Sequence, residues 1–207
     1  MFKDRGEAGE LLALKLKKII MSKDFVVVAL LRGGIVLGKK ISAYFNIPLK
    51  PLAVKKIGAP LNPELGIGAV TFDKTCYFNE EIIGDLNISL DYRKTILENK
   101  YQEAKLLQEK VEGNTKGISY KGKSVVVVDD GVAIGNTVIC ASLYLRKQKV
   151  KKIILAIPVI SKDRIGSIKK YFDRVIALRI AENLGAVGEF YRYFPQVMDE
   201  EVLNYLV

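Results

Sequence analysis

One stretch of the chain, residues 123–138, constrains the fold more than any other. It contains four consecutive valines, Val125–Val128. A β-branched run without polar alternation is typical of a strand that is buried on both faces of a parallel sheet. Two carboxylates, Asp129 and Asp130, follow the run, and a loop with glycines then leads into an apolar-periodic segment that begins at Thr137. The stretch therefore predicts a buried strand, an acidic pair, a glycine loop and a helix start, in that order.

This order of elements suits a phosphorylated sugar. Gly131 and Gly135 permit positive φ and close backbone approach. Free N–H groups at a loop and a helix N-terminus form a nest for a phosphate, and carboxylates accept hydrogen bonds from sugar hydroxyls or help to hold a hydrated Mg²⁺. A plainer interpretation stays open, because Asp-Asp-Gly is also common where a strand turns into a helix that an aspartate caps.

Strand and helix patterns alternate along the 207 residues, of which 49% are apolar. This alternation predicts a single α/β domain over residues 1–207, with a central, mainly parallel sheet flanked by helices. Apolar periodicity predicts helices over 8–21, 92–111 and 137–148, and strands over 25–31, 51–54, 153–160 and 175–180. We expect a small hood from about 55–90 and 181–207.

Composition excludes several classes of function. The chain has no histidine, which excludes an imidazole base or a histidine-ligated metal, and its two cysteines are too few for a disulfide framework. Apolar runs reach only about seven residues, too short for a membrane span, and no apolar leader is visible at the N-terminus. We therefore expect a cytoplasmic protein that does not enter a membrane.

A net charge of +10 indicates an anionic partner, either a nucleic acid or a multiply phosphorylated small molecule. The densest basic cluster comprises Lys147, Lys149, Lys151 and Lys152. It contains no interleaved aromatic residue, which favours a solvated surface over nucleic-acid binding.

A second glycine loop, Arg32-Gly33-Gly34, follows the predicted strand over 25–31. The segment from Gly33 to Lys40 falls one residue short of a nucleotide P-loop. Lys40 stands where a P-loop needs the hydroxyl that binds Mg²⁺, so this interpretation is disfavoured. An ordinary tight turn is the other alternative.

The stretch from Val125 to Thr137 resembles the ribose-phosphate signature of type I phosphoribosyltransferases. The resemblance implies that Asp129 and Asp130 bind the ribose hydroxyls of phosphoribosyl pyrophosphate (PRPP). It also implies that the following loop cradles the 5′-phosphate through Gly131, Val132, Ala133, Ile134, Gly135, Asn136 and Thr137. The family has threonine before the second glycine and a small residue after it. Ile134 and Asn136 replace them here, so one hydroxyl donor is lost and a bulkier residue is expected beside the nest.

Other segments extend the resemblance over most of the chain. Arg32-Gly33-Gly34 resembles the family's pyrophosphate loop, which implies that Arg32 supplies charge and that the two glycine amides face the diphosphate. Lys55 and Lys56 open a segment that is similar to one subgroup of phosphoribosyltransferase-like proteins, as are residues 2–9 and 186–196. These two lysines are either ligands of the diphosphate or ordinary surface residues.

The family also has a flexible loop that precedes the signature strand and closes over PRPP. Residues 111–122, which are rich in glycine and polar residues, are assigned to it here. Such loops usually carry arginine, whereas Lys116 and Lys121 are the cations of this segment. Because lysine lacks the bidentate fork of arginine, we expect weaker closure.

The resemblance implies an enzyme that transfers ribose 5-phosphate from PRPP to a small nitrogenous base and releases pyrophosphate. Asp129, Asp130 and Arg32 would be catalytic, and Mg²⁺ would bridge the diphosphate and the ribose hydroxyls, mostly through water. Enzymes for 6-oxopurines place an aspartate at the position of Ala133, so that subclass is disfavoured. The alternatives are a PRPP- or nucleotide-binding module with little catalysis and, less favoured, a P-loop-like NTPase. The sequence does not specify the base, and a homodimer is expected from the general frequency of dimers.

Overall fold

The computed structural model describes residues 1–115 and 117–206. The β-strands in this part of the chain are β1 (Phe25–Leu30), β2 (Leu49–Leu52), β3 (Val54–Gly58), β4 (Gly66–Thr71), β5 (Cys76–Phe78), β6 (Ser124–Val128), β7 (Lys152–Ser161) and β8 (Arg174–Ala181). The α-helices in the same part are α1 (Arg5–Leu16), α2 (Gly34–Phe45), α3 (Glu80–Asp85), α4 (Leu90–Val111), α5 (Asn136–Lys147), α6 (Ile165–Lys169) and α7 (Asp199–Leu206). Short 3₁₀ helices cover Glu112–Thr115, Lys162–Arg164 and Val187–Phe190.

The main sheet has five parallel strands in the order β2-β1-β6-β7-β8, with β6 at its centre. The four valines of β6 are fully buried. Val125 and Val127 belong to one core cluster, and Val126 and Val128 belong to the cluster on the other face. Since successive side chains of a strand point to opposite faces, this unbroken apolar run fills both cores at once. The predicted α/β fold with a central parallel sheet is confirmed.

Helices cover both faces of this sheet. On one face, Leu145 and other residues of α5 complete the first cluster. On the other face, Leu12 of α1 and Leu37 of α2 complete the second cluster. Each fully buried leucine contributes about 1.5–3 kcal/mol relative to an exposed one, so the packed layers fix where the strand ends lie.

A separate antiparallel sheet of three strands, β3-β4-β5, lies beside α4 and α5. Every residue of β4 is buried. The carbonyl of Gly66, at the start of β4, accepts a hydrogen bond from Asn136, which directly follows the loop after β6. The small sheet therefore borders the carboxyl edge of the main sheet, on the side where we expected part of the hood.

The segment before β6 lies at the opposite, amino edge of the main sheet. Gly122 donates a hydrogen bond to Lys149, which precedes β7, and the Lys50 ammonium in β2 donates to the carbonyl of Ile118. The five residues of β6 separate this segment from the acidic pair by about 16 Å. The prediction that residues 111–122 close over the site is therefore wrong, because a segment that enters a strand lies at the far end from the residues that leave it. Of the two cations in that segment, Lys116 lies outside the described residues.

None of the described helices is long and apolar enough to cross a membrane.

The contact between α1 and α2 generates a stability prediction. A Cβ at Gly9 would lie 2.9 Å from Leu37 Cα and 3.0 Å from Lys40 Cβ. Gly9→Ala gains about 1 kcal/mol of helix propensity, but it must push the two helices apart. We expect a net loss of about 1–3 kcal/mol in the free energy of unfolding, measured in urea.

Gly84→Ala is the matched control, since Gly84 lies in α3 and a Cβ there meets nothing within 4 Å. This control should be neutral or stabilising. Equal effects of the two substitutions would contradict the close helix contact.

Candidate functional site

The acidic pair lies where β6 leaves the sheet, beside the first glycine loop. A Cβ at Gly33 would overlap Asp130 Oδ2, and a Cβ at Gly34 would lie 3.2 Å from Asp129 Cα. Only glycine permits this approach. The structure therefore brings the two predicted glycine loops together around the acidic pair, as expected for neighbouring parallel strands whose carboxyl ends share one edge.

Arg5 forms a largely buried ion pair with Asp130, and the two side chains are 9% and 17% exposed. Its Nε and Nη2 lie 3.0 and 2.9 Å from Asp130 Oδ2, and its Nη1 donates to the carbonyl of Pro195 at 2.6 Å. The guanidinium carbon lies 3.6 Å from the ring centroid of Phe194. The hydroxyl of Tyr191 donates to the backbone carbonyl of Asp130 at 2.7 Å. Both chain ends thus meet at the acidic pair, an arrangement that the sequence reasoning missed.

Asp129 and Asp130 differ in the charged groups that act on them most strongly: Asp130 acts on Asp129, whereas Arg5 acts on Asp130. Burial raises the pKa of Asp129 well above its ordinary value, and the negative charge of Asp130 raises it further. Burial also raises the pKa of Asp130, but the adjacent Arg5 opposes that shift. The shift favours the neutral form of Asp129, whereas Arg5 stabilises the charge of Asp130.

The glycine loop is tied to β7 at its start. The Val132 amide donates to Val159 at 2.9 Å, and the Val132 carbonyl accepts from Ser161 at 3.0 Å. The Val132 amide is therefore already paired, which corrects its assignment as a phosphate donor. The later part of the loop differs, because Gly135 has φ +96° and α5 begins at the next residue. The first N–H groups of α5 have no acceptor within the helix, which leaves them for a ligand.

The side chain of Asn136 is turned toward the small sheet, although its backbone belongs to the loop end that was expected to form the phosphate nest. Its side chain is buried, and its Nδ2 donates to the carbonyl of Gly66 at 2.9 Å. It therefore links the start of α5 to the small sheet. Its Oδ1 is buried and has no hydrogen-bond partner among the described residues. An unpaired buried acceptor is costly, and a donor from a ligand or a water molecule would satisfy it.

A cavity of about 570 Å³ opens at this edge of the sheet. This volume is typical of small-molecule sites. The predicted site residues that line it are Lys56, Asp130, Gly131, Val132, Ala133, Ile134, Gly135, Asn136 and Thr137. The lining also contains residues that sequence reasoning missed, namely Glu64, Ser161, Asp163, Arg164 and the segment 184–187. Ser161 ends the buried strand β7, and Asp163 and Arg164 directly follow it, so the rule that ligands bind at strand ends could have found them.

Of the three predicted cations, Lys56 lines this cavity, whereas Lys55 and Arg32 do not. Lys55 and Lys56 are neighbours in β3, and their side chains point to opposite faces. Lys56 pairs with Glu64 at 2.9 Å on the cavity side, whereas Lys55 lies 3.8 Å from Glu103 of α4. Arg32 lies 3.7 Å from Asp199 of α7. The structure thus brings the Arg32 backbone, but not its guanidinium, to the acidic pair.

The P-loop interpretation is excluded by the position of α2. The helix starts at Gly34, which leaves no loop to wrap a phosphate chain, and Lys40 lies within the helix, 2.7 Å from Glu10.

A parallel sheet with an acidic pair and an open helix N-terminus at its carboxyl edge defines a class of α/β proteins that bind phosphorylated ligands. Residues 3–194 match the family model described as "Phosphoribosyl transferase domain". The chain belongs to this family, which confirms the resemblance found in the sequence.

Proteins of known sequence and structure agree with this assignment. Two Mycobacterium tuberculosis proteins, provisionally named phosphoribosyl transferases, are each 31% identical over the whole chain. The chain covers only 46% of their length. The crystal structure of TT1426 from Thermus thermophilus is 29% identical, with a TM-score of 0.81 over 99% of this chain and 97% of that chain. A Bacillus anthracis hypoxanthine-guanine phosphoribosyltransferase shares the fold, with 14% identity and a TM-score of 0.51 over 93% of this chain and 90% of its own.

The ion pair predicts a pH-dependent stability defect. Arg5→Met leaves Asp130 buried without its partner, which should lower the free energy of unfolding by about 3–5 kcal/mol at pH 7.5. Losing Arg5 raises the folded-state pKa of Asp130 further above the unfolded value. Stability linked to a raised pKa is lost as pH rises through it, so the deficit should shrink at pH 5.

Urea unfolding at both pH values checks this prediction. Arg192→Met, at an exposed arginine, is the control and should have little effect at either pH. Adding Asp130→Asn to Arg5→Met should recover part of the lost stability. A deficit that is equal at the two pH values would contradict the buried pairing.

Proposed function

We propose that this chain transfers ribose 5-phosphate from PRPP to a small nitrogenous base and releases pyrophosphate. The observation that carries the proposal is the meeting of three groups at one edge of the sheet. These are the acidic pair, the helix start behind Gly135 and the glycine loop that contacts Asp130. Family membership supports phosphoribosyl transfer in general, and PRPP as donor is the specific step that we add.

Each group has a part in holding PRPP. The amides from Ala133 to Thr137 would bind the 5′-phosphate, and the positive end of α5 would stabilise its charge. Asp129 would accept hydrogen bonds from the ribose hydroxyls. The amides of Gly33 and Gly34, which have no acceptor within α2, would face the diphosphate. The Arg32 side chain is held by Asp199, so this loop would act through its backbone.

These residues suit an Mg²⁺ ion that is bound jointly by the protein and the substrate, rather than one that is enclosed by protein side chains alone. Among the described residues there is no group of three side chains that could cage a metal. Mg²⁺ keeps several waters and is usually bound by one or two carboxylates together with substrate phosphates. Asp129, supported by Asp130, would supply those oxygens, and the ion would neutralise charge on the departing diphosphate.

The chain itself mostly positions the reactants and stabilises charge. When the bond from the anomeric carbon to diphosphate lengthens, positive charge develops on the sugar, and an ionised carboxylate nearby stabilises it. Arg5 is already committed to Asp130. Asp129 is therefore the carboxyl group that is available, and loss of its proton on ligand binding would supply the negative charge.

The acceptor would lie between the glycine loop and the wall formed by Ser161–Arg164 and 184–187. These lining segments contain no aromatic ring. Recognition of the base would therefore depend on polar and charged groups such as Arg164, which lies 3.0 Å from Asp163. Ala133 offers no carboxylate for a 6-oxopurine, so such bases are disfavoured as acceptors.

A PRPP-binding module with little catalysis is the second candidate. Two observations favour it, the neutralisation of Asp130 by Arg5 and the position of residues 112–115 and 117–122 at the far edge of the sheet. The β3–β4 connection, residues 59–65, borders the cavity through Glu64, and Leu61 in the same connection is fully exposed.

Pyrophosphate release from PRPP and Mg²⁺ with a panel of bases separates the two candidates. We expect release with at least one base. In Asp129→Asn, PRPP affinity should fall about tenfold or more, because an amide cannot replace the charge. Asp24→Asn, at the amino edge, is the control and should bind PRPP normally. Tight PRPP binding without release for any base would leave only the binding module, and unchanged affinity in Asp129→Asn would refute both.

The two neighbouring lysines give a second test within one strand. Lys56→Gln should lower PRPP affinity about threefold to tenfold, because Lys56 lines the cavity and its ammonium can turn from Glu64 to a bound diphosphate. Lys55→Gln should leave affinity nearly unchanged, because Lys55 faces α4. Calorimetric titration of both variants checks this, and a larger loss in Lys55→Gln would reverse the assignment of the diphosphate side.

A further inference from the structure

A second cavity, of about 450 Å³, lies at the amino edge of the main sheet, at the opposite end of β6 from the acidic pair. Four lysines line it, namely Lys50, Lys121, Lys147 and Lys149, against a single carboxylate, Glu112. They come from four places in the chain: β2, the segment before β6, the last residue of α5 and the turn before β7. The fold therefore gathers them, whereas the sequence shows only part of the cluster.

Among the described residues, Glu112 acts electrostatically on Lys50 and Asp73 on Lys147, but neither carboxylate forms an ion pair with these lysines. Within residues 1–115 and 117–206, none of the four forms an ion pair, although many other lysines do. Basic side chains near the end of a helix are favoured by its dipole. That effect accounts for Lys147 and Lys149 but not for Lys50 or Lys121, which lie on other elements.

Lys50 is the most informative of the four. It is partly buried, its ammonium lies 3.2 Å from the carbonyl of Ile118, and it lies 4.6 Å from the centroid of the Tyr120 ring. Burial lowers its pKa, and Glu112 only partly opposes this shift. An ammonium group withdrawn from water without a bonded carboxylate is costly, and an anion in the cavity would offset that cost.

Two tyrosines add neutral donors to the cavity. Tyr120 and Tyr144 pack edge to face, with ring centroids 6.3 Å apart. No hydrogen bond of either hydroxyl to a described residue is present, and neither oxygen is sealed from solvent. Burial raises the pKa of both groups, so both hydroxyls remain protonated donors. Lys147 is also held in place, because its ammonium donates to Thr75 Oγ1 at 2.8 Å.

We propose that this amino-edge cavity binds a di- or triphosphate group, either free or carried by a nucleotide. Several positive charges that converge with neutral O–H donors match an anion with several charges and many acceptor oxygens. A single carboxylate would leave most of these donors unpaired. The site is separate from the proposed PRPP site and does not depend on it.

Amide chemical shifts of the ¹⁵N-labelled chain test the proposal, because they locate the bound anion. Sodium tripolyphosphate and ATP are titrated separately without Mg²⁺. We expect saturable shifts of the amides in 118–122 and 147–150 with both compounds. Tighter binding of ATP would show that a nucleoside adds contacts, and equal binding would show that the phosphate chain suffices. Shifts confined to 131–137 would overturn the proposal while leaving the PRPP site intact.

Two double variants that remove equal charge distinguish a specific binding site from non-specific attraction of the anion to a basic protein. Lys50→Gln with Lys147→Gln should weaken tripolyphosphate binding about tenfold or more. Lys151→Gln with Lys152→Gln removes the same charge from exposed lysines that do not line the cavity, and should change affinity less than about twofold. Equal losses in the two double variants would refute the site.

A third double variant tests the same site by a different route, in case the first double variant does not fold. Lys121→Gln with Lys149→Asn keeps Lys50 in place, and asparagine tolerates the positive φ of 56° at residue 149. It should weaken binding to a similar extent. If a single-stranded oligonucleotide saturates the same amides more tightly than tripolyphosphate does at about 150 mM salt, nucleic-acid binding would replace the proposal.

Discussion

The burial of β6 on both faces is the constraint on which the rest of the structure depends. Its four valines supply two cores at once, so a polar side chain at any of these four positions would be buried in an apolar core. Polar chemistry is therefore confined to the two ends of the strand. Carboxylates and helix amides gather at the carboxyl end, and lysines gather at the amino end.

The carboxyl end is held together by long-range contacts. Arg5 from the first helix and Tyr191 from near the C-terminus both bind Asp130, and Asn136 joins the start of α5 to the small sheet. Each contact uses a polar group that would otherwise be buried without a partner. The site is thus a junction of distant segments around one short strand end, and its geometry is set by packing outside it.

The sequence predicted the elements that depend on local pattern. The β6 run, the acidic pair, both glycine loops and the long α4 lie where periodicity placed them, with helix limits that differ by a few residues. Contacts set by tertiary packing were not predicted. The partner of Asp130 is 125 residues away in the chain, and the side chain of Asn136 turned toward β4. The closing loop was misplaced because position along the chain does not show at which edge of a sheet a segment lies. Lys55 and Lys56 were equivalent in sequence, and only strand alternation separated them.

Helix α5 joins the two polar ends of the molecule. Its first turn follows Gly135 at the carboxyl edge, and its last residue, Lys147, lines the cavity at the amino edge. Its twelve residues form a rod about 18 Å long. A packed helix is stiff along its axis and is held here by both the main and the small sheet. One continuous helix therefore spans the distance between the two polar edges, and both of its ends are fixed by the same packed layers.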